Sequence, residues 1–154
     1  MADAFGDGLV VWKNGYLFRL ENPTFKSPVK GNLSTGTHSF MAQNGLLGMD
    51  VSPRIFPDEP RFLYFRPLMT HDLFMIDTRQ INHFSSGHGL DISGAKNVLR
   101  SHGVAHAFSS EGTLFIGMSS EFGVACWNRY RELRPENIVR FKLKYSTYLI
   151  LLNI

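Results

Sequence analysis

The stretch Arg61-Phe-Leu-Tyr-Phe-Arg-Pro67, followed by His71-Asp-Leu-Phe-Met-Ile-Asp77, decides the fold of this chain because it occurs twice. Its second copy is Gly112-Thr-Leu-Phe-Ile-Gly-Met118 followed by Phe122-Gly-Val-Ala-Cys-Trp127. Each run is rich in aromatic and branched residues and is bounded by turn-forming residues, which is the pattern of short β-strands. Each copy therefore predicts two neighbouring strands joined by a turn.

Corresponding residues of the two copies lie 51 positions apart, as Leu63 and Leu114 do. A third strand precedes each copy, at Leu47–Pro53 and at Val104–Ser110, and its offset is 57 because residues are inserted around Pro57–Pro60. A unit of three short strands that repeats about every 50 residues is typical of β-propeller blades. We therefore predict an all-β fold of antiparallel meanders, a partial propeller with two to three blades and no long helix.

Upstream of the repeat, the runs Gly8–Trp12 and Tyr16–Leu20 flank Asn14-Gly15. This dipeptide between two β-type runs is a strong hairpin signal, because both central residues of the turn need a positive φ. Residues 22–44 are rich in Pro, Gly, Ser, Thr and Asn, which predicts a long connection. Residues 87–103 read as a loop with room for one short strand.

The composition is that of one globular domain: 154 residues, of which 44% are hydrophobic and 19% are charged. The longest uncharged apolar stretch, Tyr145–Ile154, has about half of the roughly 20 residues that a membrane span requires. We therefore expect no membrane partner. The first residues lack a basic segment followed by an apolar one, so the chain shows no secretory signal of its own.

The net charge of +3 comes from the C-terminal part of the chain. Residues 128–145 hold six basic and two acidic residues, whereas the remainder holds 10 basic and 11 acidic residues. A nucleic-acid interface needs a basic face on the folded domain, and the body of this chain lacks the charge for one. We expect no nucleic-acid partner.

Histidine and cysteine give little support for a metal or cofactor site. His102 and His106 have the spacing of two ligands on a helix, but a strand is predicted to begin between them, which would turn the two rings apart. The spacing of His83 and His88 is a weaker signal, and Cys126 is predicted to be a buried apolar thiol in a strand. We expect no metal and no cofactor.

A catalytic constellation is not apparent either. His71 and Asp72 resemble an acid–base pair, but adjacent residues of a strand point to opposite faces. Residues 117–121 lack the closing glycine of a nucleophile elbow, and no helix is predicted behind them. His71 is kept as the one weak catalytic candidate.

Several strings occur in an order that resembles the insect Yellow and major royal jelly protein family, over about residues 3–140. They are Asp3-Ala-Phe-Gly-Asp-Gly-Leu-Val-Val11, Asn44-Gly-Leu-Leu-Gly-Met-Asp-Val-Ser-Pro53, Leu63-Tyr-Phe-Arg-Pro-Leu-Met-Thr-His71, Ser109-Ser-Glu-Gly-Thr-Leu-Phe-Ile-Gly117 and Cys126-Trp-Asn128. The resemblance implies a six-bladed propeller from a secreted protein more than twice as long. We expect a propeller domain over 1–142 and a non-family apolar tail over 143–154.

The family includes royal jelly nutrient proteins, proteins of melanin formation and salivary proteins that bind biogenic amines. Carried over onto this chain, the amine contacts imply Ala105, Ser120 and Phe122 as ligand-binding residues. The equivalent loop of the preceding blade adds His71. Phe122 could stack on an aromatic amine with about 0.5–2 kcal/mol of cation–π attraction. The plain alternative is that these are ordinary loop residues.

The resemblance leaves three functions open. The first is an extracellular, non-enzymatic binder of a biogenic amine or catechol derivative, or a pigmentation or nutrient factor; the second is a dopachrome-converting tautomerase of melanin synthesis. The third is a truncated product without activity of its own, whose open strand edges make the isolated chain self-associate. If the chain is exported, the sequon at Asn32 is a glycosylation site.

Overall fold

The computed structural model of the chain describes residues 1–28, 31–35, 38–42, 45–84 and 89–142. Its elements are short strands with little helix. The strands are β1 (Ala2–Asp3), β2 (Gly8–Lys13), β3 (Tyr16–Glu21), β4 (Gly31–Thr35), β5 (His38–Ala42), β6 (Leu46–Val51), β7 (Phe62–Pro67), β8 (Leu73–Asp77), β9 (Ser93–Ala95), β10 (Gly103–Phe108), β11 (Thr113–Met118), β12 (Gly123–Asn128) and β13 (Ile138–Lys142). The helices are α1 (Thr78–Asn82) and the 3₁₀ turns Pro23–Phe25 and Pro135–Asn137.

The strands form three meandering sheets and one separate hairpin. Blade I has the order β1-β2-β3, blade II β6-β7-β8-β9 and blade III β10-β11-β12-β13, and all neighbours are antiparallel. Blade I contains the predicted Asn14-Gly15 hairpin, and the structure adds the two-residue strand β1 beside it. The prediction of an all-β partial propeller is confirmed.

The strand register confirms both sequence offsets. Leu63 pairs with Ile76 in blade II, and the residues 51 positions later, Leu114 and Trp127, pair in blade III. Between the first and second strands, the Ser52 hydroxyl accepts a hydrogen bond from the Phe62 amide at 2.9 Å. The hydroxyl 57 positions later, on Ser109, accepts from the Thr113 amide at 3.2 Å, so the two blades close this turn in the same way.

The core lies between the blades, and strand β7 supplies both sides of it. Leu63 and Phe65 pack in the core between blades I and II, whereas Tyr64 packs between blades II and III. Alternate residues of a strand point to opposite faces of its sheet. A strand of a blade that lies between two other blades is therefore buried on both faces. The core between blades II and III contains Tyr64, Leu73, Val98, Leu99, Leu114, Ile116, Met118, Ala125, Trp127 and Ile138.

Polar contacts also join blade II to blade III. The Asp50 carboxylate on β6 accepts a hydrogen bond from the Phe108 amide on β10 at 2.7 Å. Arg129, which follows β12, donates to the Pro53 carbonyl at 2.8 Å and forms an ion pair with Glu59 at 3.0 Å. A hydrogen bond from the Ile55 amide, with contributions from Tyr130 and Arg129, holds the pKa of Glu59 below its usual value.

The connection predicted over residues 22–44 is wrong in part, because strands β4 and β5 form a hairpin within it. Leu33 of this hairpin is buried against Leu68 and Met69, in the turn after β7. That contact is distant in sequence, so the polar local composition gives no sign of it. The loop predicted over 87–103 is confirmed within the described residues, with β9 as its one short strand.

The predicted apolar tail over 143–154 lies outside the described residues, so the tail and its boundary after residue 142 stay predictions. None of the described helices is long and apolar enough to cross a membrane.

Blade III leaves Phe115, Val139 and Phe141 exposed on one face, and blade I leaves Trp12 and Leu17 exposed.

We expect Asp50→Ala to lower the free energy of unfolding by about 1–3 kcal/mol, because it leaves the half-buried Phe108 amide without its acceptor. Asp50→Asn keeps an acceptor oxygen and should recover most of this loss. Urea unfolding followed by tryptophan fluorescence measures both. The exposed Asp58→Ala is the matched control, and an equal loss for Asp58→Ala and Asp50→Ala would contradict the role of this contact.

Candidate functional site

Three loops meet at one end of blades II and III. They are the β7–β8 turn (68–72), the segment before β10 (99–102) and the β11–β12 turn (119–122). The Ser101 hydroxyl accepts a hydrogen bond from the Ser120 amide at 2.9 Å, and the Ser119 hydroxyl donates to the His102 carbonyl at 2.8 Å. The Leu99 amide donates to the His71 carbonyl at 3.1 Å. These bonds hold the three loops together.

Two histidines stack where the loops meet. The rings of His71 and His102 lie 4.7 Å apart between centroids, at an interplanar angle of 25°. Burial lowers the pKa of His102, and the charges of His71 and Arg66 add to this, while a hydrogen bond to the Thr70 backbone opposes it. The same burial therefore disfavours the charged form of the His102 ring.

Beneath the stacked rings lies Arg66, whose side chain is fully buried. Its Nε donates to the Asp72 carbonyl at 2.9 Å, and its Nη2 donates to the carbonyls of Thr70 and Ser101, the latter at 3.1 Å. Thr70 and Ser101 directly precede the two stacked histidines. One guanidinium therefore fixes the backbone of both loops. Burial lowers the pKa of Arg66 to about 10, with the Asp72 charge opposing the shift.

His106 lies on strand β10, the first strand of blade III, between blades II and III. Gly48 of β6 pairs with Arg66, and a Cβ at Gly48 would lie 3.4 Å from the His106 ring. Burial, with the Arg66 charge adding to it, lowers the pKa of His106 to about 3. Within the described residues, no three His, Cys, Asp or Glu side chains come together in a way that could hold a metal ion.

The structure brings together three of the four predicted ligand residues. His71 stacks on His102. The Ser120 amide donates a hydrogen bond to the hydroxyl of Ser101, which directly precedes His102. Phe122 ends the same turn as Ser120, half-buried, with a φ of +45°. Ala105 stands apart: it is exposed on β10, and its backbone nitrogen lies 3.8 Å from where a Cβ of Gly117 would be.

The prediction that His71 and Asp72 are adjacent residues of a strand, pointing to opposite faces, is wrong. Strand β8 starts at Leu73, so both residues lie in the turn before it. The Asp72 carboxylate is engaged elsewhere, because it accepts a hydrogen bond from the Asn97 amide at 2.8 Å. Because His71 lies in a turn, the alternation of a strand does not set the direction of its ring, which stacks on the ring of His102.

Arg66 and Ser101 organise the site, and the sequence analysis did not select them. A signal for Arg66 was available, because it is a lone charge inside the otherwise apolar run Phe62–Pro67. A charge at such a position is buried and needs partners. No comparable signal marks Ser101, whose partner Ser120 is 19 residues away.

Comparison with known proteins agrees with this architecture. The sequence model of the family described as "Major royal jelly protein" matches residues 1–152. The chain belongs to the major royal jelly protein family. It is 31% identical to major royal jelly protein 2 of Apis mellifera over 142 residues, covering 90% of the chain and 30% of that protein. It is 32% identical to major royal jelly protein 7 of Apis mellifera over 141 residues, covering 89% of the chain and 31% of that protein.

The chain therefore spans about a third of the length of these curated royal jelly proteins. The family match continues past residue 142, into the segment that lies outside the described residues. Three blades in about a third of the relatives' length agree with a partial propeller.

The depressed pKa of His106 makes the stability of this royal jelly family chain depend on pH. The folded chain keeps His106 neutral down to pH about 3, whereas the unfolded chain takes up a proton as pH falls through 6.5. The stabilisation is complete above that value, and each unit of pH below it costs up to about 1.4 kcal/mol.

We expect His106→Leu to reduce the stability lost between pH about 7 and about 5. Urea midpoints at the two pH values measure this loss. The exposed His38→Leu is the control and should behave like the unaltered chain. An unchanged loss in His106→Leu would show that His106 is not buried neutral.

Proposed function

We propose that this chain belongs to an extracellular, non-enzymatic protein that binds a small aromatic amine, such as a biogenic amine or a catechol derivative. The proposed site is the loop end of blades II and III. The observation that supports it is the convergence of His71, His102 and Ser120 on one loop cluster through backbone and side-chain hydrogen bonds. Binding sites are commonly carried by loops that a rigid scaffold positions.

The side chains of the β11–β12 turn have the chemistry that such a ligand needs. Phe122 offers an aromatic face, Ser120 offers a hydroxyl oxygen, and Glu121 between them offers a half-buried carboxylate. A protonated amine is attracted both by a carboxylate and by a ring face.

The backbone of Phe122 is consistent with a ligand contact. A bulky residue at a φ of +45° lies in the left-handed region, which costs about 1–3 kcal/mol. Strained residues of this kind cluster at ligand clamps and active sites. Glycine would adopt the same backbone without this cost, and phenylalanine supplies a ring that glycine lacks.

The alternative function is a dopachrome-converting tautomerase. It is favoured by the stacked His71 and His102, since histidine is the residue that most often acts as a general acid or base in enzymes. It is disfavoured by the position of Asp72, whose carboxylate binds the Asn97 amide rather than orienting a histidine. We therefore place binding first and tautomerisation second.

A chain of this length can also lack independent activity. The exposed apolar residues on the outer faces of blades I and III are surfaces that a neighbouring blade would cover. We propose that the isolated chain self-associates through them. Light scattering coupled to size-exclusion chromatography tests this, and a sharp monomer near 17.5 kDa would contradict it.

We expect Phe122→Gly to weaken dopamine or serotonin binding by about 2- to 30-fold, which corresponds to the loss of about 0.5–2 kcal/mol of ring attraction. The same change removes the strained φ and should leave the melting temperature unchanged or raised. Isothermal titration calorimetry and thermal unfolding measure the two effects. Phe141→Gly, which removes an exposed ring from blade III, is the control for binding.

The enzyme alternative has its own measurement on the same samples. Loss of the visible absorbance of dopachrome, abolished in His71→Gln and retained in Phe141→Gly, would favour the tautomerase. Tight amine binding without dopachrome turnover would favour the binder. Neither activity, in this chain or in a longer protein that contains it, would reject both functions.

Export through a secretory pathway should modify Asn32. Its side chain is exposed on β4, so an oligosaccharide can be accommodated without disturbing the hairpin. Expressed with a leader in insect cells, the chain should migrate more slowly on a gel, and peptide-N-glycosidase should reverse the shift. Asn32→Gln should migrate as the deglycosylated chain, and a secreted chain that is unchanged by the enzyme would contradict the assignment.

A further inference from the structure

The charge of Arg66 is buried without a counter-ion. Its side chain is fully buried, and no carboxylate of the described residues forms an ion pair with it. Three backbone carbonyls accept hydrogen bonds from Nε and Nη2, but Nη1 is buried and has no acceptor in the described part of the chain. Buried charges in proteins are normally paired, because an isolated one costs several kcal/mol.

Further polar atoms near Arg66 also lack partners. Both ring nitrogens of His106 and the Nδ1 of His102 are buried, and none of them forms a hydrogen bond within the described residues. More than 90% of buried polar groups in native proteins are bonded to protein or to an ordered small molecule. Four unpartnered atoms in one region therefore require an explanation.

These atoms lie together between blades II and III. Arg66 binds the carbonyl of Ser101, the residue before His102, and its charge lowers the pKa values of His102 and His106. Gly48, which pairs with Arg66 across strands β6 and β7, faces the His106 ring. A Cβ at Gly48 would lie 3.4 Å from the His106 ring, so glycine lets this ring pack closely against strand β6.

The donors of the region outnumber the carboxylates that are free to accept from them. Arg66 carries a positive charge and the neutral His106 ring can donate one N–H, whereas the Asp72 carboxylate, whose charge raises the pKa of Arg66, is bound to the Asn97 amide. Asp50, the acidic residue of strand β6, is bound to the amides of Val51 and Phe108. Donors around a cation that forms no ion pair favour an anion over a water molecule.

We propose that Arg66 Nη1, together with the N–H of the neutral His106 ring, binds a small monovalent anion, a halide or a carboxylate group, between blades II and III. The anion completes the pairing of the guanidinium that fixes both histidine loops, so it stabilises the interface between the two blades. The anion site is separate from the proposed amine site, for which the side chains of the β11–β12 turn are the candidates.

The unaltered chain provides the first test. Sodium chloride and sodium acetate should each raise the melting temperature in a saturable way, by about 5 °C or more at a hundredfold excess over the dissociation constant. The sodium salt of a bulky organic sulfonate, at the same ionic strength, should not. Equal effects of all three salts would overturn the proposal, because screening alone would then account for them.

Chloride NMR line broadening observes the anion directly. The line should be broadened by the unaltered chain, and acetate should reverse the broadening if carboxylates share the site. The excess broadening should be lost in Arg66→Lys and reduced several-fold in His106→Leu. His38→Leu, on the exposed face of β5, should broaden the line like the unaltered chain.

Arg66→Lys could fail to fold because three carbonyls lose their donor, and His106→Leu then carries the test. His106→Leu keeps the guanidinium and its three backbone bonds, so a folded chain that binds less chloride isolates the anion site. Broadening that is the same in His106→Leu and the unaltered chain would overturn the proposal. So would a chain that does not broaden the line at all.

Discussion

Every described blade has to bury one face against its neighbour, and blade II has to bury both. Strand β7 meets this constraint with consecutive buried residues, Leu63 and Phe65 towards blade I and Tyr64 towards blade III. The edge-to-face contacts of Tyr64 with Phe108 and of Phe25 with Phe65 fill the two interfaces. Because the core is shared between blades, the stability of each blade depends on the next one along the chain.

Apolar packing does not extend over the whole interface between blades II and III. At the loop end it gives way to Arg66 and His106, and hydrogen bonds to backbone carbonyls replace side-chain packing. A guanidinium has several donors in a fixed plane, so it can bind two loops at once, as a smaller or more flexible cation could not. The polar end of the interface thereby sets the positions of His71 and His102.

The candidate ligand residues are exposed or half-buried. In blade III the first strand and the β11–β12 turn present Ala105, Ser120 and Phe122, while blade II contributes the turn with His71. The buried strands behind them are held by the register and by the blade contacts. The side chains at these positions can therefore vary without changing the core.

The sequence by itself determined the repeated strands β6–β8 and β10–β12 with their register, and the β2–β3 hairpin. The offsets of 51 and 57 residues and the Asn14-Gly15 turn are local signals, since strand alternation and turn chemistry act over a few residues. Tertiary structure alone decided the hairpin β4–β5, which depends on Leu33 packing against the turn after β7. It also decided the stacking of His71 on His102 and the partners of Arg66, because these contacts join residues about 30 or more positions apart. Such contacts form only once neighbouring blades dock, and the lone charge of Arg66 in an apolar run signals burial without naming its partners.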